Sequence, residues 1–182
     1  WAGRTAVLVG SGESLTTARV RVIAMARAKD LIRVVAINDA VYPCWFADVA
    51  YACDVKWWRY HGQLNGFKGE KYRLSVIRPG DKGDRNDPGL PDVRSLEMSG
   101  TSGFDPDPSK LRSGLTGGYQ AIHLAVHLGV KKILLVAYDM KGRHFFGDHP
   151  PEIEGQPKSK LPNMVGQFRL LAEELRTRGI VV

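Results

Sequence analysis

The sequence has little cysteine, no long apolar run and no cluster of like charge, and each shortage excludes a class of protein. Cys44 and Cys53 are too few for a disulfide framework, so we expect reduced thiols in a cytoplasmic protein. No apolar run approaches the roughly 20 residues that span a bilayer. The sequence has no charged segment followed by an apolar core and a cleavage site, so it shows no secretion signal. The sequence thus predicts a soluble protein without a membrane partner, and Trp1 as first residue predicts that the natural N-terminus lies further upstream.

Positive charge is in excess but is not concentrated. The chain has 26 Lys and Arg residues against 19 Asp and Glu, a formal net charge of +7. This balance favours anionic partners, among them nucleotide phosphates, acidic sugars and nucleic acid. The basic residues are spread along the chain without a dense arginine stripe, so nucleic acid is not the favoured partner. A solvated surface that is simply basic accounts for the same composition.

Short apolar runs alternate with helical patterns along the chain. Residues 6–10, 33–37, 49–53 and 132–137 have the composition of buried parallel strands. Weaker patterns predict a strand nearer an edge at 71–77 and a last strand at Ile180. The alternation predicts one doubly wound, Rossmann-like α/β domain over residues 1–182, with a mostly parallel sheet.

Helices and loops connect these predicted strands. Helical spacing follows the first strand, with Ser14 or Thr16 as the N-cap, and returns near 116–128 and 165–178. Residues 79–112 hold five prolines with many Gly, Asp and Ser, which predicts an irregular excursion rather than a linker between domains. A second loop, 138–163, mixes phenylalanines with ionisable groups, and we expect it to close as a lid over a substrate.

The first turn has the makings of an anion site. Gly10 and Gly12 allow an anion to approach the backbone, and the free amides near Ser14 at the helix start would face a phosphate or carboxylate. The turn lacks the third glycine of the dinucleotide fingerprint and the lysine of a P-loop. A tight turn with a purely structural role is the alternative.

Polar residues follow the next strands. Asn38, with Asp39 beside it, is placed to reach a ribose or base, although both residue types also form Asx turns and helix caps. Asp54 ends an apolar run and is suited to a sugar hydroxyl or a divalent cation such as Mg²⁺, and Asp139 is placed to bind ligand or metal or to cap a turn. The aromatic residues after Asp54 would stack on a ligand or pack in the core, namely Trp57, Trp58 and Tyr60.

The segment from Ser113 to Pro150 contains the remaining candidates. Ser113 and Gly114 open a helix whose first amides suit a phosphate or carboxylate. On that helix the spacing of His123 and His127 matches two metal ligands, but their apolar neighbours favour packing. The densest ionisable cluster is a candidate acid–base set or metal set, formed by His144, Asp148 and His149.

Several segments together resemble a known group. GSGESL, VVAIND, ADVAYACD followed by WW, SGLTGGYQAIHLAVHLGVKKILLVAYDM and HFFGDHP are similar to phage and prophage proteins of unassigned function. That group resembles the 6-hydroxymethylpterin diphosphokinase-like superfamily and, distantly, the bacterial family 42 sialyltransferases. The resemblance covers nearly the whole chain. The shared elements are the Gly-x-Gly-x-Ser-Leu turn, an Asn after the second strand, and a Ser-Gly helix start followed by a strand ending in Asp.

In the sialyltransferases these positions hold a cytidine-activated sugar, and a later His is the base. The resemblance therefore implies that Gly12 and Ser14 contact phosphate and that Asn38 and Ser113 contact nucleotide or sugar, with His149 as the base. Two positions depart from the pattern. Glu13 replaces the usual proline, and Asp54 stands where the sialyltransferases have Asn, which favours a metal or a different donor.

Three functions follow as hypotheses. The first is a transferase that binds a nucleotide or nucleotide-sugar at the carboxyl edge of the sheet. The second is pyrophosphoryl transfer from ATP with Mg²⁺, for which Asp54 and Asp139 would be the ligands. The third is a non-catalytic phage protein that binds nucleic acid or another virion protein through its basic surface. The sequence leaves the donor, the acceptor and the oligomeric state open.

Overall fold

One parallel sheet with helices on both faces forms the body of the protein. The computed structural model describes residues 1–75, 90–153 and 161–182. Over these residues the strands are β1 (Thr5–Val9), β2 (Arg33–Ile37), β3 (Val49–Tyr51), β4 (Glu70–Ser75), β5 (Arg94–Gly100), β6 (Lys110–Arg112) and β7 (Lys132–Val136). The helices are α1 (Thr17–Ala28), α2 (Val55–Tyr60), α3 (Gly117–His127) and α4 (Leu161–Thr177). Short 3₁₀ helices lie at Asn38–Val41, Gly62–Leu64 and Pro151–Ile153.

The sheet order is β6-β5-β4-β3-β2-β1-β7, and every pairing in it is parallel. Alternate side chains of the strands therefore enter two separate cores. Val7 and Val9 of β1 join the core under α1 and α2, while Ala6 and Leu8 join the core under α3 and α4. This confirms the predicted doubly wound, Rossmann-like α/β domain, and the sheet is parallel throughout.

The N-cap of α1 is Thr16, one of the two predicted residues. Its side chain accepts a hydrogen bond from the Arg19 amide at 3.3 Å, which satisfies a donor that the helix leaves open. Within the described ranges, no helix has the length and apolarity to cross a membrane.

The predicted excursion at 79–112 is wrong where the structure describes it. It contains β5 and β6, and residues 79–89 lie outside the described residues. The strand predicted nearer an edge at 71–77 is β4, which lies third from the β6 edge of the sheet, and 76–77 fall outside the description. The predicted last strand at Ile180 is a single bridge between Lys132 and Val181. Of the predicted lid at 138–163, the end from 161 belongs to α4, and 154–160 are not described.

The chain reverses its direction across the sheet at β1. Strands β1 to β6 succeed one another to one side, and β7 returns to the other side of β1, so the loops after β1 and β7 meet at the switch point. The Gly10 amide donates to the Val136 carbonyl at 2.8 Å, and the Gly12 amide donates to the Ala137 carbonyl at 3.0 Å. A Cβ at Gly12 would lie 2.7 Å from the Ala137 oxygen and would also overlap the Asp139 carboxylate. Glycine is required here because the two loops touch.

Gly12→Ala is expected to lower the free energy of unfolding by about 1–3 kcal/mol, since a methyl group must displace backbone as well as a carboxylate. Denaturant unfolding monitored by circular dichroism measures the change. Gly166→Ala is the matched control, because Gly166 is exposed on α4 with no heavy atom within 4 Å of its added Cβ. It should raise stability by about 1 kcal/mol. Equal effects of the two substitutions would contradict the role of Gly12.

His123 is a packed core residue, as its apolar neighbours predicted. Its side chain is fully buried and stacks on Phe104 with ring centroids 4.4 Å apart. The Asp105 amide donates to its Nε2 at 2.9 Å. Burial lowers the pKa of His123 from 6.5 to about 4. The ring is therefore neutral in the folded protein throughout the physiological range.

Stability should fall as the pH drops from 6.5 towards 4, because the unfolded state takes up a proton at His123 that the folded state refuses. His123 alone should account for about 3 kcal/mol of this loss. Urea unfolding across this pH range, for the native protein and for His123→Gln, measures the contribution as a shallower pH dependence in the variant. If His123→Gln had the same pH dependence of stability as the native protein, the loss of stability at low pH would come from other groups.

Candidate functional site

The candidate residues for ligand binding lie along one edge of the sheet. Because all strands are parallel, the residues that follow them share the carboxyl edge. Gly10, Gly12 and Ser14 follow β1, and Asn38, Asp54, Ser113 with Gly114, and Asp139 follow β2, β3, β6 and β7. The predicted common edge is therefore present, and the contacts along it differ from one residue to the next.

The turn after β1 already holds an anion from the protein itself. The Asp139 carboxylate accepts a hydrogen bond from the Ser14 amide at 2.8 Å and another from the Ser14 hydroxyl. The Gly10 amide donates to the last residue of β7, and the Gly12 amide donates to the loop that follows it. The turn has the chemistry of an anion cradle, but an internal carboxylate fills it, so nothing supports a ligand phosphate at Ser14.

The same contacts fix the course of the loop after β7. The Phe145 amide donates to the Ser11 carbonyl at 3.0 Å, and Nδ1 of His144 lies 3.3 Å from that oxygen. Phe145 also packs against the core under α1 and α2. The loop is thereby held over the β1 turn and carries His149 down towards the end of β2.

There His149 meets Asp39, a carboxylate that is only 8% exposed. The indole nitrogen of Trp57 donates to Oδ2 of Asp39 at 3.1 Å. His149 Nδ1 lies 3.8 Å from Oδ2, and His61 Nε2 lies 3.5 Å from Oδ1. Both imidazole nitrogens are buried without a hydrogen-bond partner, and both face the same carboxylate. A native structure rarely leaves such groups unpaired without a functional reason.

The surroundings of the two imidazoles indicate where their protons are. Nε2 of His61 faces the Asp39 carboxylate, which favours Nε2–H, and Nδ1 then accepts from the Tyr42 hydroxyl that it contacts. The same carboxylate favours Nδ1–H on His149, which leaves the lone pair of Nε2 as the basic position. Asp39 therefore sets the tautomer of His149.

Burial also sets the charge of these rings. It lowers the pKa of His149 below 6.5, and the Asp39 carboxylate opposes that shift by favouring the imidazolium. The pKa of His61 is lowered by burial in the same way, again against the attraction of Asp39. Both rings are therefore neutral near pH 7, as a general base must be.

The other two residues of the predicted catalytic cluster have different surroundings. The exposed ring of His144 lies 4.6 Å from that of His149, centroid to centroid. Asp148 is exposed and forms an ion pair with Arg143 at 2.6 Å. The structure thus brings His144 and His149 together, and the carboxylate that faces Nδ1 of His149 is that of Asp39.

The beginning of α3 lies beside the ends of β2 and β3. A Cβ at Gly117 would be 3.9 Å from Asn38 Nδ2 and 3.9 Å from the Tyr51 ring. The buried Gln120 donates to the Ser113 carbonyl at 2.7 Å and accepts from the Tyr51 hydroxyl at 2.8 Å, which fixes the loop before the helix. Asn38 and Leu115 have left-handed backbones, with φ of 50° and 64°. Such strain is commonly concentrated at functional sites.

Asp54 is exposed at the start of α2, and its side chain does not cap the helix. Trp57 and Trp58 are buried, which fits the packing alternative, although Trp57 also donates to Asp39. No three His, Cys, Asp or Glu side chains among the described residues are arranged to hold a metal ion. The predicted pair Asp54 and Asp139 therefore has no ready ligand set for Mg²⁺ in this part of the chain.

A groove of about 800 Å³ lies elsewhere, between α1 and β7. Its walls are mostly apolar, with Ser14, Arg19 and Asp139 at one end, and they include neither Asp39 nor an imidazole. We place the candidate site at Asp39, because the unpaired buried nitrogens and the acid–base chemistry are there.

Sequence reasoning considered Asp39 only beside Asn38, as a group that reaches a ribose or base and not as the partner of His149, and it missed His61. Asp39 adjoins Asn38 in a typical turn pair, and His61 ends an aromatic run that reads as packing. One signal was available: Trp57 and His61 are four residues apart, so on a helical path they share a side that a buried polar group would need.

No protein-family model matches the sequence, and a search of curated proteins finds no significant relative.

Proposed function

We propose that this protein is a transferase that binds a nucleotide or nucleotide-sugar donor at the carboxyl edge of the sheet and passes the activated group to a hydroxyl acceptor. His149 is the general base of the reaction. The observation that carries the proposal is the buried carboxylate of Asp39 facing Nδ1 of His149 at 3.8 Å. It leaves Nε2 as the basic atom.

In the proposed reaction Nε2 of His149 takes the proton of the acceptor hydroxyl. The acceptor oxygen bonds to the transferred group as the bond from that group to the donor phosphate breaks, and the phosphate leaves with the electron pair. Asp39 stabilises the imidazolium that forms. The separation of 3.8 Å is longer than a hydrogen bond, as is common before a substrate tightens a catalytic pair.

The donor is assigned to the ends of β2 and β3 under the start of α3. Supporting this are the strained backbones of Asn38 and Leu115 and the positive end of the α3 dipole, which favours phosphate. The distant resemblance to the bacterial family 42 sialyltransferases implies the same kind of donor. Because Asp139 fills the β1 turn, the donor phosphates belong at Ser113 to Gly117 instead of Ser14.

A thermal-shift screen of CMP-, UDP- and GDP-sugars and ATP should identify a stabilising donor. Saturation at about 100 times Kd corresponds to about 2.7 kcal/mol of stabilisation. With that donor and a mixture of hydroxyl acceptors, the rate of transfer is measured as the rate of nucleotide release. His149→Gln should keep the stabilisation by the donor but lower this rate about 10²- to 10⁴-fold, because only the base is removed. Asp39→Asn should also slow release, since the carboxylate no longer fixes the imidazole.

His127→Gln is the matched control, because His127 is on α3, with its Nε2 2.9 Å from the Lys110 carbonyl oxygen. It should leave the rate unchanged. A screen in which no nucleotide stabilises the protein would refute the proposal, as would full activity of His149→Gln.

The titration of His149 gives a test that needs no substrate. Its pKa should lie below 6.5, because burial dominates, and Asp39→Asn should lower it further, because the carboxylate that favours the imidazolium is gone. NMR of the imidazole C–H signals across the pH range measures both values, with His127 as an internal reference. A rise of the His149 pKa in Asp39→Asn would mean that the two groups do not interact.

A further inference from the structure

Three exposed aromatic side chains form a group beside His61: two of them contact its ring, and the third stacks on one of those two. Tyr42, Trp45 and Tyr60 are 48%, 41% and 50% exposed. The ring of Tyr42 lies 5.4 Å from His61 and that of Tyr60 lies 5.0 Å from it, while Tyr42 and Trp45 are nearly parallel with centroids 6.4 Å apart. Single exposed aromatics are ordinary, but a contiguous group of them marks an interaction surface.

These rings are held in place before any ligand binds. The Tyr42 hydroxyl contacts His61, and Trp45 packs edge-on against the buried Phe67 at 5.5 Å. Little side-chain freedom therefore remains to be lost on binding, which favours recognition of a flat partner.

Two cations lie beside the aromatic group on α2. Lys56, Arg59 and Tyr60 have the i, i+3 and i+4 spacing that places residues on one side of α2, and all three are exposed. Residues 55–69 contain Lys56, Arg59 and Lys68 and no carboxylate. The surface thus combines stacking faces with cations, although the chain as a whole shows no basic stripe.

Further lysines lie beyond Phe67, at the Trp45 end of the aromatic group. Phe67 and Lys68 line a cleft of about 450 Å³ at the start of β4, together with Lys71. Two carboxylates also line it, Asp92 and Glu70, the second of which is paired with Arg94 at 2.6 Å. An anionic polymer with one ring stacked on Trp45 could therefore place its next phosphates near Lys68 and Lys71.

We propose that the surface formed by Tyr42, Trp45, Tyr60, Lys56, Arg59 and Lys68 binds single-stranded nucleic acid. Aromatic faces accept bases of any sequence, and neighbouring cations follow the phosphate backbone. In a double helix the base faces are stacked on one another and cannot stack on protein rings, and an acidic peptide would use the cations but not the aromatic faces. A single strand of nucleic acid uses both the aromatic faces and the cations. The proposal does not depend on transferase activity.

The test uses the full chain and a fluorescein-labelled oligothymidylate of about 12 nucleotides, a length within the range of such sites. Anisotropy should show binding that weakens between about 50 and 200 mM salt, with a slope of log K against log salt near −2 for three cations. Binding should also quench tryptophan emission in the native protein, because Trp45 is exposed whereas Trp57 and Trp58 are buried.

Substitutions separate stacking from charge. Trp45→Leu should weaken binding by roughly 5- to 100-fold and abolish the quenching, because a base loses its stacking partner. Tyr42→Phe keeps the ring and should bind nearly as the native protein does. The pair Lys56→Glu and Arg59→Glu should weaken binding strongly, and its control is the pair Arg169→Glu and Arg176→Glu, which makes the same charge change on exposed α4 residues across the sheet.

Three results would overturn the proposal. The first is no binding at the lower salt concentration. The second is a control pair that weakens binding as much as the α2 pair, which would indicate a general attraction to a basic protein. The third is displacement of the oligonucleotide by polyglutamate as effective as that by unlabelled oligothymidylate, which would assign the surface to an acidic protein partner.

Discussion

The buried carboxylate of Asp39 is the group on which the arrangement of the site depends. Removing a carboxylate from water is costly unless donors replace the lost hydration. Asp39 obtains one direct hydrogen bond, from Trp57, and two facing imidazoles, His61 and His149. These partners come from α2 and its end and from the loop after β7, while Asp39 itself follows β2. Three distant parts of the chain are therefore brought together by the solvation needs of one charge, and the two rings inherit fixed tautomers.

The loop that delivers His149 depends on a second carboxylate. Asp139 takes the place of a ligand anion at the β1 turn, and Gly12 lets the β7 loop lie directly on that turn. In many sheets of this kind the same turn holds the phosphate of a nucleotide. Here its amides serve to anchor a loop, so the chemistry of a phosphate cradle is used for positioning, and the position it fixes is that of Phe145 and the residues leading to His149.

The sequence predicted what depends on local patterns and missed what depends on distant contacts. Strands β1, β2 and β7 follow short apolar runs between polar turns, and α3 follows a regular helical period. Strand β5 was missed because it is half-exposed along most of its length and lies in a stretch rich in Pro and Gly, and β6 because it has three residues. His149 could be singled out as an ionisable residue in a dense loop. Its partner could not, because Asp39 is more than a hundred residues away and looks like any turn residue.

Helix α2 connects the two proposed activities physically. Its six residues place Trp57 inward, against Asp39, while Lys56, Arg59 and Tyr60 remain exposed. His61, directly after the helix, touches Tyr60 and Tyr42 on one side and faces Asp39 on the other. A polymer stacked on Tyr42 thus lies one side chain away from the Asp39 network. His61 is therefore the residue that the two proposed sites share, since it contacts Tyr42 on the outer surface and faces the carboxylate that also faces His149.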